Sequence, residues 1–282
     1  MKSMKKQNQW TLLIKYIFVI PACAFTLLPL LWVVVRSVEP DTGIESYSFM
    51  PRAITFDNYS AAWNYPRVID ENVTLGTMLL NSLFVAITVT IVSILFDSMA
   101  GYALARKNFF GKKVLFWLAL STLMIPFYAI AIPMYIIVIR MGMYDSLASL
   151  IIPFTASGFG VFMFRQAFLS IPLDFEQAAR VDGANDFFIY WRIMLPMVKP
   201  TIATMIVFKV LWSWGQFFWP LLVIQDYSKM PINLGLAMFR GHNITRWGLL
   251  CAGMIVATIP ILIVFLMCQK WYVEGLSGGL KG

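Results

Sequence analysis

Apolar residues in this chain come in six long blocks, separated by shorter stretches that carry most of the charge. The blocks run over residues 10–35, 77–105, 114–139, 146–169, 201–224 and 247–271. Each is long enough to cross a hydrocarbon core of about 30 Å, which takes about 20 helical residues. A backbone in lipid must satisfy its own N–H and C=O groups, so blocks of this kind predict helices. The pattern therefore predicts an all-α integral membrane protein with about six transmembrane helices. Pro126, Pro133, Pro153, Pro220 and Pro260 fall inside the blocks and predict kinks or breaks, as in helices that line transport pathways. Proline is also commoner in membrane helices generally.

Composition agrees with that reading. Of 282 residues, 60% are hydrophobic and only 13% charged, against about 45–50% and about 25% in soluble domains. The first block follows a basic start (Lys2, Lys5, Lys6), as a signal peptide does. Its apolar part exceeds the 7–15 residues of a signal sequence, so a retained anchor is expected.

A net charge of +8 would suit a nucleic-acid binder, but the positions of the charges explain it otherwise. Lys2, Lys5, Lys6, Lys15, Arg106, Lys107, Lys112, Lys113, Arg165, Arg180, Arg192, Lys199, Lys270 and Lys281 form one set of 14, and Arg36, Arg52, Arg67, Arg140, Lys229, Arg240 and Arg246 the other set of 7. The richer set marks the cytoplasmic side, which places both termini there. The outer connection, about 36–76, carries Glu39, Asp41, Glu45, Asp57, Asp70 and Glu71; it reads as a solvated cap, a docking surface for an extracellular partner, or both.

Cys23, Cys251 and Cys268 lie in apolar blocks without metal-ligand spacing and read as small buried hydrophobes. His242 has no second histidine to join it on a metal. No phosphate-binding loop is present, so the chain is expected not to hydrolyse ATP itself, and no cofactor or metal site is expected. No internal repeat or soluble domain is evident, which leaves one membrane domain over 1–282.

The most informative stretch connects the fourth and fifth blocks, about 171–198. Pro172 should end the preceding helix, and Asp174 with Gln177 reads as a capping box for a short new one. Ala178 and Ala179 favour helix with almost no bulk, so a partner can approach closely. Gly183 suits the left-handed stop of a helix, and Asn185 can cap a second helix that ends before Pro196. The expectation is a helix, tight turn and helix on the cytoplasmic face.

Here the chain resembles the permease subunits of ABC importers, which carry a cytoplasmic motif of E-A-A, three residues, G, nine residues and I-x-L-P. The matching positions are Gln177, Ala178, Ala179, Gly183, Ile193, Leu195 and Pro196, with Glu176 beside the departure at Gln177. Neighbours on a helix point about 100° apart, so Glu176 does not simply replace the motif's glutamate. The stretches Phe56-Asp57-Asn58-Tyr59, Asn81-Ser82, Tyr102 to Arg106, Phe110-Gly111, Trp214 to Pro220 and the tail from Gly275 to Gly282 extend the resemblance to the carbohydrate-importer branch that includes the maltose-transporter permeases. The resemblance implies a permease of a bacterial inner membrane, paired with a second permease subunit. Two cytoplasmic ATPase subunits would use ATP and Mg, and an extracytoplasmic solute-binding protein would deliver a sugar. An ion-coupled secondary transporter is the alternative; it would need no cytoplasmic docking element and would show internal symmetry.

Substrate-pathway candidates are Asn81, Trp214 and Gln216, the last two in a stretch with Trp212, Phe217, Phe218 and Trp219. Sugars favour aromatic faces and amides, though such aromatics also pack cores or sit at membrane interfaces. Asp97 and Lys209 are charges inside spans, costly and often functional there; at similar depths they can form an ion pair. The connection from Tyr227 to Arg246 is a further resemblance-based contact for the binding protein.

Overall fold

The computed structural model describes residues 2–40, 50–239 and 246–278, and among the described residues there is no β-strand. In chain order the helices are α1 (Lys2–Ser37), α2 (Asp57–Asn64), α3 (Leu75–Arg106), α4 (Lys112–Ser121), α5 (Phe127–Arg140), α6 (Leu147–Ile151) and α7 (Gly158–Leu169). There follow α8 (Asp174–Val181), α9 (Asp186–Phe188), α10 (Leu195–Met197), α11 (Lys199–Trp214), α12 (Phe218–Val223), α13 (Ile232–Ala237) and α14 (Trp247–Gly278). A π-helical turn, Ile189–Met194, joins α9 to α10. His242 and Gly279 to Gly282 of the tail lie outside the described residues, as does part of each long connection.

Among the described residues, three helices are long and apolar enough to cross a membrane unaided: Lys15–Ser37, Leu75–Arg106 and Trp247–Met267. Three more candidate spans are bent pairs: Lys112–Met124 with Phe127–Arg140 at 107°, Leu147–Phe154 with Gly158–Leu169 at 42°, and Asp186–Met197 with Lys199–Trp214 at 77°. The bends have local causes. Pro126 forces Ile125 into extended backbone. Pro153 sits in a 3₁₀ turn ahead of the second bend. Pro200 follows Val198 at the third and has no N–H to continue the preceding ladder. The fifth block differs most from its sequence reading. Its helix starts at Lys199 and stops at Trp214, and a separate short helix begins at Phe218. Pro220 lies inside that short helix, and Pro133 and Pro260 sit inside continuous helices.

The chain divides into two compact units. One comprises Met1–Leu75 and Leu236–Thr258. There Asn58 donates to the carbonyls of Ser37 (3.0 Å) and Glu39 (2.7 Å), Arg36 pairs with Glu39 in a buried position, and Trp32 meets Trp247 edge-on at 5.6 Å. A Cβ on Gly248 would lie 2.7 Å from the Asn58 amide nitrogen, so glycine lets α14 approach this knot. The apolar window of α1 has no buried residue. A helix apolar on every side and uncovered needs lipid or another chain around it. Cys23 is accordingly exposed, contrary to its sequence reading, whereas Cys251 is buried.

The other unit comprises Gly76–Gly235 and Ile259–Gly282. Its core gathers Tyr102, Phe164, Phe168, Ala179, Ile189 and Tyr190, among others. α4 packs along α7, with Phe116 stacked on Phe162 at 6.4 Å and Arg165 over the Phe116 ring at 4.0 Å.

Candidate functional site

α8 begins at Asp174 but is not capped by it. Leu173 holds the cap position without a side-chain bond, and its carbonyl accepts from the amides of Glu176 (3.0 Å) and Gln177 (3.1 Å). The expected capping box is thus absent, and Asp174 instead places its charge in the first turn, where the helix dipole favours it. Gly183 has φ +83° and ends the helix, while Ala184 N–H returns to the Ala179 carbonyl at 2.9 Å. Asn185 does cap the next helix, accepting from Phe188 N–H at 2.8 Å.

The two faces of α8 differ. Glu176 and Ala179 are buried, and Gln177 and Ala178 are exposed. Only one alanine of the pair therefore faces outward; the other belongs to the core. Ile193 and Leu195 are half-buried against that core, and Pro196 is exposed. Leu173, Phe175, Val181, Phe187 and Phe188 are all exposed around the turn, beside an open hollow of about 500 Å³ lined by Asp182, Gly183, Asn185 and Phe188. Clustered exposed apolar side chains of this kind mark an interaction surface.

Glu176 points inward to Arg106, with Nε 3.0 Å from Oε1, a charge contact without the alignment of a hydrogen bond. Tyr102 donates to its other oxygen at 3.4 Å. Asp186 holds both Lys107 and Arg180 at 2.5 Å, and Ser98 shares a 2.7 Å hydrogen bond with Tyr190. In the sequence Tyr102 stood out only through a stretch of resemblance, and Arg106 through that stretch and the count of basic residues; the fourfold spacing of Ser98, Tyr102 and Arg106 is the signal that marks one helix face.

Deeper in the same unit, Asp97 and Lys209 are brought together, Nζ 3.3 Å from Oδ2, both buried. Ser157 completes the site. Its N–H donates to Asp97 Oδ1 at 2.7 Å and its hydroxyl to Oδ2 at 2.9 Å, while the Ser157 Oγ itself accepts from Lys209 Nζ (2.8 Å) and Gly160 N–H (3.0 Å). Ser93 adds a 2.9 Å donation to Oδ2. One carboxylate thus binds the start of α7 to α3 and α11. Two hydroxyls in apolar surroundings gave no sequence signal for this.

The remaining pathway candidates do not form one site. Asn81 donates to the carbonyls of Ser228 (2.7 Å) and Met230 (3.1 Å). Trp214 is buried, its carbonyl accepting from Asn233 at 2.6 Å. Gln216 lines, with Ser82, Ser213, Trp212 and Trp219, a cavity of about 20 Å³, room for a water molecule and not for a sugar ring.

Near the N-terminal end of α3 a second charged cluster forms. Asp145, in left-handed backbone with φ 53°, accepts from the amides of Gln225 and Asp226, each at 2.9 Å. Hydrogen bonds from Ser228 and from Lys229 hold the Asp226 carboxyl at about 2. Desolvation works to raise Asp145, but the two amides and Lys229 outweigh it and hold it below the usual range. Among the described residues no group of three or more His, Cys, Asp or Glu side chains could hold a metal ion.

Comparison with known proteins converges on one family. The family model of binding-protein-dependent transport system inner membrane components matches residues 97–277. The arabinooligosaccharides transport system permease protein AraQ of Halalkalibacterium halodurans is 32% identical over 278 residues, 97% of this chain and 96% of that protein. The sn-glycerol-3-phosphate transport system permease protein UgpE of Yersinia pestis is 31% identical over 236 residues, 83% and 84% of the two chains. In fold, the chain is similar to one from the crystal structure of a bacterial ABC transporter involved in the import of alginate, with a TM-score of 0.81 at 21% identity over 94% of this chain and 98% of that one. This chain therefore belongs to the family of binding-protein-dependent transport system inner membrane components, the permease subunits of ABC transporters, which carry no ATPase site of their own.

Proposed function

We propose that the chain, with a second permease subunit, forms the membrane passage of an importer for a sugar or related polyol, driven by two ATPases that seat on the Gly183 turn. The observation that carries this is the exposed apolar surface of Leu173, Phe175, Val181, Phe187 and Phe188 around the helix–turn–helix that Gly183 turns and Asn185 caps. In this reading Gln177, Ala178, Gly183 and Pro196 face the ATPase, while Glu176, Ala179, Ile193 and Leu195 hold the element to the core. The exposed Gln177 offers an amide where the family motif has a carboxylate, so its contact is a hydrogen bond without net charge. Both termini and the turn are cytoplasmic, and the binding protein meets the opposite end. AraQ and UgpE are named for arabinooligosaccharides and sn-glycerol-3-phosphate, which supports a carbohydrate-like cargo. A neighbouring structure holds its transporter in complex with a periplasmic protein bound to an alginate pentasaccharide, which supports a solute-binding partner.

Among the described residues the hollow beside Gln216 is too small for a sugar ring; in this reading the passage lies against the second permease, with Gln216 as its candidate contact. Asn81, Trp214, Asp97 and Lys209 support the passage without lining it. ATP and Mg belong to the ATPases. The test is uptake into proteoliposomes that hold the assembled complex, ATP inside and labelled sugars with the binding protein outside. Uptake requiring both ATP and the binding protein is the expected result. Uptake driven by a proton or sodium gradient without ATP overturns the reading.

A further inference from the structure

We infer that Arg106 is the positioning residue that makes α8, α7 and the C-terminal half of α3 move as one body, so that a push on α8 reaches the membrane core directly. This rests on the reading of α8 as the ATPase-docking helix.

The guanidinium joins three elements. It pairs with Glu176 of α8, donates to the Phe168 carbonyl in the last turn of α7 at 2.5 Å, and donates to the carbonyl of Ile171 just beyond. Both charged side chains are almost fully buried, 4% and 7% exposed. The last carbonyls of a helix have no partner within it, and arginine supplies several donors in one fixed fork. Lysine has no such fork, and a glutamate on the outer face of α8 would not reach.

The same pair of helices is closed at other points. Ser98, Tyr102 and Arg106 stand four apart on α3, and their partners Tyr190 and Glu176 both lie in the 171–198 element. One helix residue back from each of the last two, Gly101 and Ala105 face α7: a Cβ on Gly101 would stand 2.7 Å from the Phe164 Cβ and 2.9 Å from the Arg165 amide, and Ala105 packs on the shared core. At the other end of α7 the Asp97 carboxylate holds the amide and hydroxyl of Ser157, and a Cβ on Gly160 would fall 1.9 Å from Asp97 Oδ2. α7 is therefore fastened to α3 at both ends and in close contact between them. Two α3 residues also reach α8: Tyr102, which meets Phe168 edge-on at 5.4 Å and donates to Glu176, and Arg106, whose buried charge holds both the α7 carbonyls and the Glu176 carboxylate.

The test uses the full complex, with the three natural cysteines replaced and spin labels at Ile91→Cys on α3 and Asp174→Cys on α8, both exposed positions. Pulsed electron paramagnetic resonance then reads the distance between them, nucleotide-free and trapped with ATP and vanadate. The expected result is a mean distance constant to within about 2 Å, the scale of helix shifts in switching proteins. Arg106→Gln, and independently the near-isosteric Glu176→Gln, should each make the two states differ by more than that. A distance that changes in the intact chain overturns the inference, as does one that stays constant in Glu176→Gln and in every assembled Arg106→Gln complex. Failure of the underlying reading shows separately, as an assembled complex that hydrolyses no ATP.

Discussion

At Asp97 a single buried carboxylate takes four contacts, and Ser157 uses its one hydroxyl proton and both lone pairs. That saturation decides what substitution does. Asp97→Asn keeps the shape but leaves Lys209 buried without its counter-charge, and removing one member of a buried pair costs about 3–5 kcal/mol. Lys209→Met leaves the carboxylate in the same position. The double variant buries no unpaired charge, so its loss of thermal stability should be well below the sum of the two single losses. A double-mutant cycle on the purified chain measures this, and strict additivity would show that the charges do not interact. The two charges were legible in the sequence because a charge inside an apolar block is conspicuous. Ser93 and Ser157 were not, since a hydroxyl in a membrane helix ordinarily bonds its own backbone, as Thr26 does to the Ala22 carbonyl at 2.8 Å.

Among the elements, the helix–turn–helix between the fourth and fifth spans was the most legible, because caps and glycine stops act over a few residues. Its Gly183 turn and Asn185 cap are where the spacing placed them, while the Asp174 cap is not. The faces of α8 were less legible: which alanine turns inward depends on Phe164, Phe168 and Tyr102, far away in sequence. Prolines misled in both directions. Pro133 and Pro260 leave their helices unbroken, whereas the 77° bend falls at Val198 beside Pro200, because neighbouring groups can satisfy carbonyls that a proline frees. For Gly183, the structure separates conformation from space. A Cβ there would meet nothing within 4 Å, yet φ is +83°. Gly183→Ala should therefore lower the stability of the purified chain by about 1–2 kcal/mol, and Gly183→Asn by less, since asparagine visits this backbone region more readily. If the assembled complex loses ATP-driven uptake with both variants alike, the glycine serves close approach of the ATPase and not only the turn.

On the scale of the whole molecule, orientation rests on how basic residues divide between the ends of the spans. Six long blocks were plain in the sequence, but no block shows that three of the candidate spans are bent pairs. Arg106, Lys107, Arg165 and Arg180 gather around the Glu176 end of α3, and only part of their charge is used in pairing. Positive charge is retained on the cytoplasmic side during insertion, so this end should face the cytoplasm and the Asp145–Asp226 cluster, about 37 Å away along α3 at 1.5 Å per residue from Arg106 to Asn81, should face outward. Cysteines at exposed Asp182 and Tyr227, in a chain without its natural ones, test this with a membrane-impermeant maleimide. Tyr227→Cys should label in intact spheroplasts, and Asp182→Cys only in inverted vesicles or after the membrane is opened. The reverse pattern would place the apolar surface around Gly183 on the outer face, out of reach of any cytoplasmic ATPase. Labelling of both positions in sealed spheroplasts would show that the two clusters share a side, which a single crossing by α3 does not allow.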